Sequence, residues 1–348
     1  MVDARLQNLL EAKAELSRRL LRVGDRIMSP VPLFRMSTAA ARSRNVHAVG
    51  IGRKRVNGTK TTVPSIHVYV TQKLPLAILK GSDRIPKAID GIPTDVIVSP
   101  VAFLLKRARV SADCSSERRT KQRPIRPGIS VAHERVTAGT IAYFCKSTRP
   151  ADDPESIYLL SNNHVLADFN QGKKGDRIYQ PGPADGGAKH DAIAELARFV
   201  KISSGVGASS TSNNVDAALA ALIPGVKFKL DICKIGRLKG TEMAVENLVV
   251  RMHGRTSGLV EGVVSDESID ALVGTDPSDL RVCAMFENQI RIEQKGAGFG
   301  KSGDSGAMVV NRRTKKGVGL FFAAPDDYSY GYASPIEDVL EALECELL

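Results

Sequence analysis

The stretch Gly300-Lys301-Ser302-Gly303-Asp304-Ser305-Gly306-Ala307 runs directly into the apolar triplet Met308-Val309-Val310. A glycine-rich loop ending in a buried strand fixes one serine on rigid scaffold. The flanking glycines let backbone amides, and a substrate carbonyl, approach that serine closely. A serine hydroxyl is a weak nucleophile at neutral pH, so it needs a base within hydrogen-bond reach and donors for the oxyanion that develops. Gly-Asp-Ser-Gly is short, and its weight depends on whether the rest of the chain supplies a base and an acid.

Two segments do. In Leu159-Leu160-Ser161-Asn162-Asn163-His164-Val165-Leu166-Ala167 a hydrophobic strand leads to a histidine followed by an apolar turn, which holds a base rigidly at a strand end. In Asn214-Val215-Asp216-Ala217-Ala218-Leu219-Ala220 one acid interrupts an apolar run, and a buried carboxylate needs a strong partner to stay ionised. The Nδ1 hydrogen of His164 is such a partner; taken singly, His164 reads equally as a core histidine and Asp216 as a turn cap. The order along the chain is His, Asp, Ser, which differs from the orders of the subtilisin and α/β-hydrolase scaffolds. The separations, 52 residues from 164 to 216 and 89 from 216 to 305, are each long enough for several strands.

Outward from these motifs, residues from Pro127 onward are short apolar runs separated by Gly, Asn and Asp, the texture of an antiparallel all-β body. Strands are expected at Thr140 to Cys145, Tyr158 to Leu160, Leu248 to Met252, Gly262 to Val264, Gln289 to Ile292, Met308 to Val310 and Val318 to Phe322. Pro335 before Ile336, Val339, Leu340 and Leu343 predicts a C-terminal helix. At the other end, Leu6, Leu9, Leu10, Leu16, Leu20 and Val23 recur at helical spacing until Gly24, giving an amphipathic helix within residues 1–30. Residues 31–104 read as a small α/β domain. Its strands are Val46 to Ile51, Val63 to Val70 and Thr94 to Val98, with a turn at Asn57-Gly58 and a short helix and loop within Leu74 to Ile89. His47 and His67 fall in those strands and read as structural.

The chain has 348 residues and 43% hydrophobic content, enough for a large core and a second, smaller one. No stretch approaches the roughly 18 apolar residues that span a bilayer, and the charged N-terminus is unlike a secretory signal. Five widely spaced cysteines, without CxxC pairs, suggest reduced thiols and a cytoplasmic setting. The net charge of +11 is concentrated: residues 105–125 with Arg126 hold eight Lys or Arg against Asp113 and Glu117. With no aromatic side chain for base stacking, this segment reads as a basic linker that is solvated and open to cleavage, and nucleic acid is not the expected partner.

On these motifs, residues 126–348 resemble a trypsin-like (chymotrypsin-fold) serine peptidase of the bacterial type. The resemblance implies two β-barrels, His164 as general base, Asp216 as its orienting carboxylate, Ser305 as nucleophile and the amides of Gly303 and Ser305 as oxyanion hole. Gly254-Arg255-Thr256-Ser257-Gly258 is similar to a hairpin of bacterial members. It also implies a substrate pocket whose floor is Phe299, so no preference for Arg or Lys follows. Ala307 stands where many members have glycine. Asp326 and Asp327 read as a solvated turn, and His253 as structural. The front portion resembles a leader domain preceding some such peptidases. The expected activity is endoproteolysis on a protein or peptide substrate, without metal or organic cofactor, latent until cleavage or an activating partner protein intervenes. The alternatives are a catalytically silent binding module of the same fold and a polyanion-binding regulator using the basic linker.

Overall fold

In the computed structural model the residues described are 4–21, 45–56, 59–79, 81, 84–104, 116–206, 211–275, 282–294 and 298–348. They are mainly β and form two compact units. The smaller comprises Met1–Phe103, Ser203–Asn213 and Ser265–Gln289; the larger comprises Leu104–Ile202, Asn214–Val264 and Ile290–Leu348.

The smaller unit is built on two long β-branched strands. Val46–Val56 and Thr59–Val70 pair antiparallel, and Ile92–Val98 joins the second in parallel. Along the other edge Ala48, Val49 and Gly50 pair with Ala271, Asp270 and Ile269, so a strand from far along the chain extends the sheet. Between the second and third strands the expected helix is only a single turn, Leu76–Ile78, because Pro75 and Gly81 bracket it. The expected turn at Asn57-Gly58 and the helix stop at Gly24 lie outside the described residues.

The helix Ala4–Leu20 presses Ala12, Leu16 and Leu20 onto Val49, Ile51, Ile66 and Val68. Lys13 falls on this apolar face and is 2% exposed. A buried ammonium must find acceptors for its protons. Its Nζ donates to Asp270 Oδ1 at 2.7 Å, Asn288 Oδ1 at 2.7 Å and Ser268 Oγ at 2.9 Å. Both strand histidines are bonded: His47 Nε2 to the Ser99 carbonyl at 2.9 Å, and His67 to Asp266 at 2.8 Å and the Arg53 carbonyl at 3.1 Å. Burial works against a charged His67 ring, but Asp266 outweighs it and the pKa is raised.

The larger unit holds two curled sheets in the manner of a double barrel. The first has eight antiparallel strands in the order Cys345–Leu347, Tyr143–Ser147, Tyr158–Ser161, Ala218–Leu222, Ala192–Phe199, Arg177–Tyr179, Ser130–His133 and Gly139–Thr140. In the second, the start of Gly258–Gly274 pairs with Val249–Gly254, followed by Met308–Asn311, Gly317–Ala324, Tyr330–Pro335 and the end of Val282–Glu293. The last of these also pairs with Gly258–Gly274, so the six strands close into a ring. Leu160, Leu219 and Tyr143 of the first sheet share one core with Met308 and Leu320 of the second.

The C-terminal helix, Ile336–Ala342, follows Pro335 as expected and seats Ile336 and Val339 in that core. The chain then adds Cys345–Leu347 to the edge of Tyr143–Ser147, a strand too short to signal itself in the sequence. Among the described residues no helix is long and apolar enough to cross a membrane.

Of the eight basic residues between 105 and 126, Lys106, Arg107 and Arg109 lie outside the described residues. The other five are engaged. Arg118 donates to the Arg255 and Thr256 carbonyls, Arg119 to the Arg255 carbonyl, Arg123 to Gln180 and Arg126 to the Asp231 carbonyl, while Lys121 pairs with Asp191.

Candidate active site

His164 sits on a single helical turn, Asn163–Leu166, immediately after the strand Tyr158–Ser161. Asp216 lies just before the neighbouring strand, Ala218–Leu222. Because these two strands pair, with Ser161 opposite Ala218, the two side chains emerge at the same end of the sheet. His164 Nδ1 lies 2.5 Å from Asp216 Oδ2, and the His164 amide donates to Oδ1 at 3.3 Å. Asn162 Nδ2 donates to the Asp216 carbonyl at 2.7 Å and fixes the backbone of the acid. A carboxylate only accepts, so the bonded Nδ1 carries the hydrogen, and in the neutral ring Nε2 is the acceptor.

Ser305 precedes the strand Met308–Asn311 and is locked to the first sheet by its own carbonyl, which accepts from the Thr140 amide at 2.8 Å. Thr140 Oγ1 donates to the Gly303 carbonyl at 2.9 Å, so one threonine grips both ends of the Gly303-Asp304-Ser305 turn. Gly306 is required here. Its φ is +88°, and a Cβ would lie 2.0 Å from Ser161 Oγ and 2.4 Å from the Thr140 carbonyl oxygen. Ser305 Oγ and His164 Nε2 are both buried, and among the described residues neither has a hydrogen-bond partner. Ser305 is 0% and His164 2% exposed.

Asp304 is held by three backbone donors. Thr256 N and Ser257 N reach Oδ1 at 2.7 and 2.9 Å, and Lys301 N reaches Oδ2 at 2.8 Å. Complete burial pushes its carboxyl pKa up, and the bonds from Ser257, Lys301 and Thr256 oppose that rise. Beneath it, Arg255 is fully buried. Its Nε donates to Asp185 Oδ2 at 2.8 Å, its Nη2 to Asp185 Oδ1, and its Nη1 to Thr256 Oγ1 at 3.0 Å. Thr256 Oγ1 in turn donates to the Ser302 carbonyl at 2.7 Å. The Gly254-Arg255-Thr256-Ser257-Gly258 segment thus supports the serine loop through charge and amides together. The sequence marked that segment but not Asp185, whose isolated position in a turn carries no signal, nor Thr140.

Phe299 is fully buried in the core of the second sheet, its ring edge-on to Phe321 with centroids 6.0 Å apart. His253 Nδ1 donates to the Gly128 carbonyl, 3.0 Å away; a carbonyl only accepts, so Nδ1 bears the hydrogen. Burial pushes its pKa down to about 4. Asp326 and Asp327 are exposed, and Asp327 caps the Ser329 amide at 3.0 Å. Cys145, Cys233 and Cys345 are free thiols.

Neither a protein-family model nor a curated protein sequence matches the chain. Solved structures similar in shape include Thermobifida fusca protease A (TM-score 0.44, 13% identity, 64% of this chain and 98% of that one). A Nocardiopsis protease gives TM-score 0.43 and 12% identity over 64% of this chain and 98% of its own. Cellulomonas bogoriensis chymotrypsin gives TM-score 0.40 and 14% identity, again over 64% and 98%.

Proposed function

We propose that the chain is a serine endopeptidase acting on a protein or peptide substrate. Ser305 is the nucleophile, His164 the general base and Asp216 the carboxylate that orients it. One observation carries this: Asp216 engages His164 at Nδ1, so that in the neutral ring Nε2 is the free acceptor, and both Nε2 and the Ser305 hydroxyl are buried without a hydrogen-bond partner among the described residues. In the reaction Nε2 takes the Ser305 proton as Oγ attacks the peptide carbonyl. Asp216 stabilises the imidazolium, and the Gly303 and Ser305 amides receive the oxyanion. His164 then returns the proton to the leaving amine, and water, activated by the same nitrogen, releases the acyl group. Phe299 is proposed as the floor of the pocket for the substrate side chain.

The intact chain already satisfies Asp304 with three amides, so we propose that the turn is assembled without cleavage of the 105–125 segment. Latency is instead proposed to come from burial. With Ser305 0% exposed, substrate reaches the hydroxyl only after covering residues move, a step suited to an activating partner protein. The same burial favours a second reading, a catalytically silent binding module.

A fluorophosphonate probe decides between them. Labelling of the wild type that is lost in both Ser305→Ala and His164→Ala establishes an activated serine. Absence of labelling in the folded wild type leaves a latent peptidase or the silent module, and labelling that stays absent after substrate-mimicking peptide is added and the 105–125 segment is cut by limited proteolysis favours the silent module.

A further inference from the structure

The backbone of Phe321 is tied to the two residues that follow the serine: the Gly306 amide donates to its carbonyl at 2.8 Å, and its own amide donates to the Ala307 carbonyl at 3.0 Å. The strand Gly317–Ala324 therefore runs alongside Ser305, with the 298–304 loop across from it. The Phe321 ring points into the space between strand and loop. A Cβ on Gly300 would come 2.2 Å from its Cζ, and one on Gly331 would come 2.4 Å from its Cε2. Phe299 closes the far end, edge-on at 6.0 Å. Two glycines facing one another leave a slot one ring wide, and that slot is occupied by the chain's own phenylalanine, fully buried.

The slot adjoins the two residues that follow Ser305 and the loop that precedes it. When an acyl carbon sits at Ser305 Oγ with its oxygen toward the Gly303 and Ser305 amides, the residue's α-carbon is about 1.5 Å further on. Directed away from residues 139–140 and 161, which close the other side of the serine turn, its side chain would meet the 299–304 loop and the Phe321 strand.

We infer that Phe321 is a specificity-determining residue that fills this recess, so that the enzyme accepts peptides with Gly, Ala or Ser before the scissile bond and rejects larger side chains. This rests on the peptidase reading above. A recess with no room for even a second methylene rejects an aromatic side chain on steric grounds, and single-methylene differences in a pocket already discriminate by about 10–200-fold.

The test is covalent labelling of the full chain with a peptidyl phosphonate ending in alanine and with one ending in phenylalanine, beside a small alkyl fluorophosphonate that carries no such side chain. The wild type is expected to react with the alanine probe at least about 10-fold faster than with the phenylalanine probe. In Phe321→Ala the ratio of the two rates is expected to reverse. Phe321→Val, a smaller truncation whose fold is checked by circular dichroism, should shift the ratio in the same direction toward leucine-sized probes. A wild type that takes the phenylalanine probe as fast as the alanine probe overturns the inference. So does an unchanged ratio in both variants while the alkyl probe still labels them. If the alkyl probe labels neither wild type nor variants, also after limited proteolysis of the 105–125 segment and addition of substrate-mimicking peptide, the peptidase reading itself falls, and the inference with it.

Discussion

Replacing Arg255 by methionine keeps most of the stem volume of a fully buried side chain and removes its charge. Asp185, whose side chain is 5% exposed, would then keep only the hydroxyl of Ser130, which donates to Oδ2 at 2.6 Å. Breaking a buried ion pair from one side costs about 3–5 kcal/mol, because the orphaned charge stays desolvated. For a unit of roughly 200 residues, each kcal/mol lowers the melting temperature by about 2–4 °C, so a fall of about 10 °C is expected. Asp185→Leu should cost a similar amount, since it strands the guanidinium. The double variant, with no buried charge left, should be more stable than either single one, with a coupling of about 2–3 kcal/mol. The chain has no tryptophan, so unfolding is best followed by far-UV and tyrosine near-UV circular dichroism. Single variants within about 1 kcal/mol of the wild type, or strictly additive losses, would show that the pair does not hold the serine loop.

Asp216→Asn should leave the fold intact but present an amide hydrogen to Nδ1, forcing the hydrogen of His164 onto Nε2. Turnover is expected to fall by about 10³–10⁴-fold with little change in KM, read from steady-state kinetics on a peptide substrate. His253, with its pKa near 4 in the fold, is neutral where the unfolded chain would protonate it. The unfolded state therefore binds more protons between about pH 6.5 and 4, and stability contributed there declines as pH drops through that window. His253→Asn, which retains a donor for the Gly128 carbonyl, should flatten the decline in denaturation midpoints measured from pH 7 to pH 4. Lys13→Met should expose the amides of Ala4–Leu20 to hydrogen exchange at least about 10-fold faster, since Asp270 is left buried with the Asn288 amide but without its cation. Unchanged protection of that helix would show that apolar packing alone docks it.

The residues of the proposed site were legible because the chemistry proposed for them demands particular residue types on local scaffolds. Ser305 between glycines, His164 at a strand end and Asp216 in an apolar run each announce themselves within a few residues. The support beneath them was not. The Asp185–Arg255 and Lys13–Asp270 pairs join positions 70 and 257 residues apart, and nothing near either acid marks it as a partner. Ala192–Phe199, reading Ala-Ile-Ala-Glu-Leu-Ala-Arg-Phe, is made largely of helix formers yet lies as a strand between Arg177–Tyr179 and Ala218–Leu222. Two waiting edges override local preference there. The strand Gly258–Gly274 was visible only at Gly262 to Val264, because its far half lies among Asp266, Glu267 and Asp270, charges that conceal an apolar periodicity.

The smaller unit draws on three separated stretches of chain, and its central strand Val46–Val56 lies hydrogen-bonded between Thr59–Val70 and residues 269–271. Covalent order and spatial order are interleaved. A protease that nicks the chain between residues 105 and 115 would therefore yield two polypeptides that migrate as one particle until denatured. A fragment ending near residue 103, made alone, would carry an open sheet edge and a Lys13 ammonium without the three acceptors it donates to, and would associate with whatever strand it met.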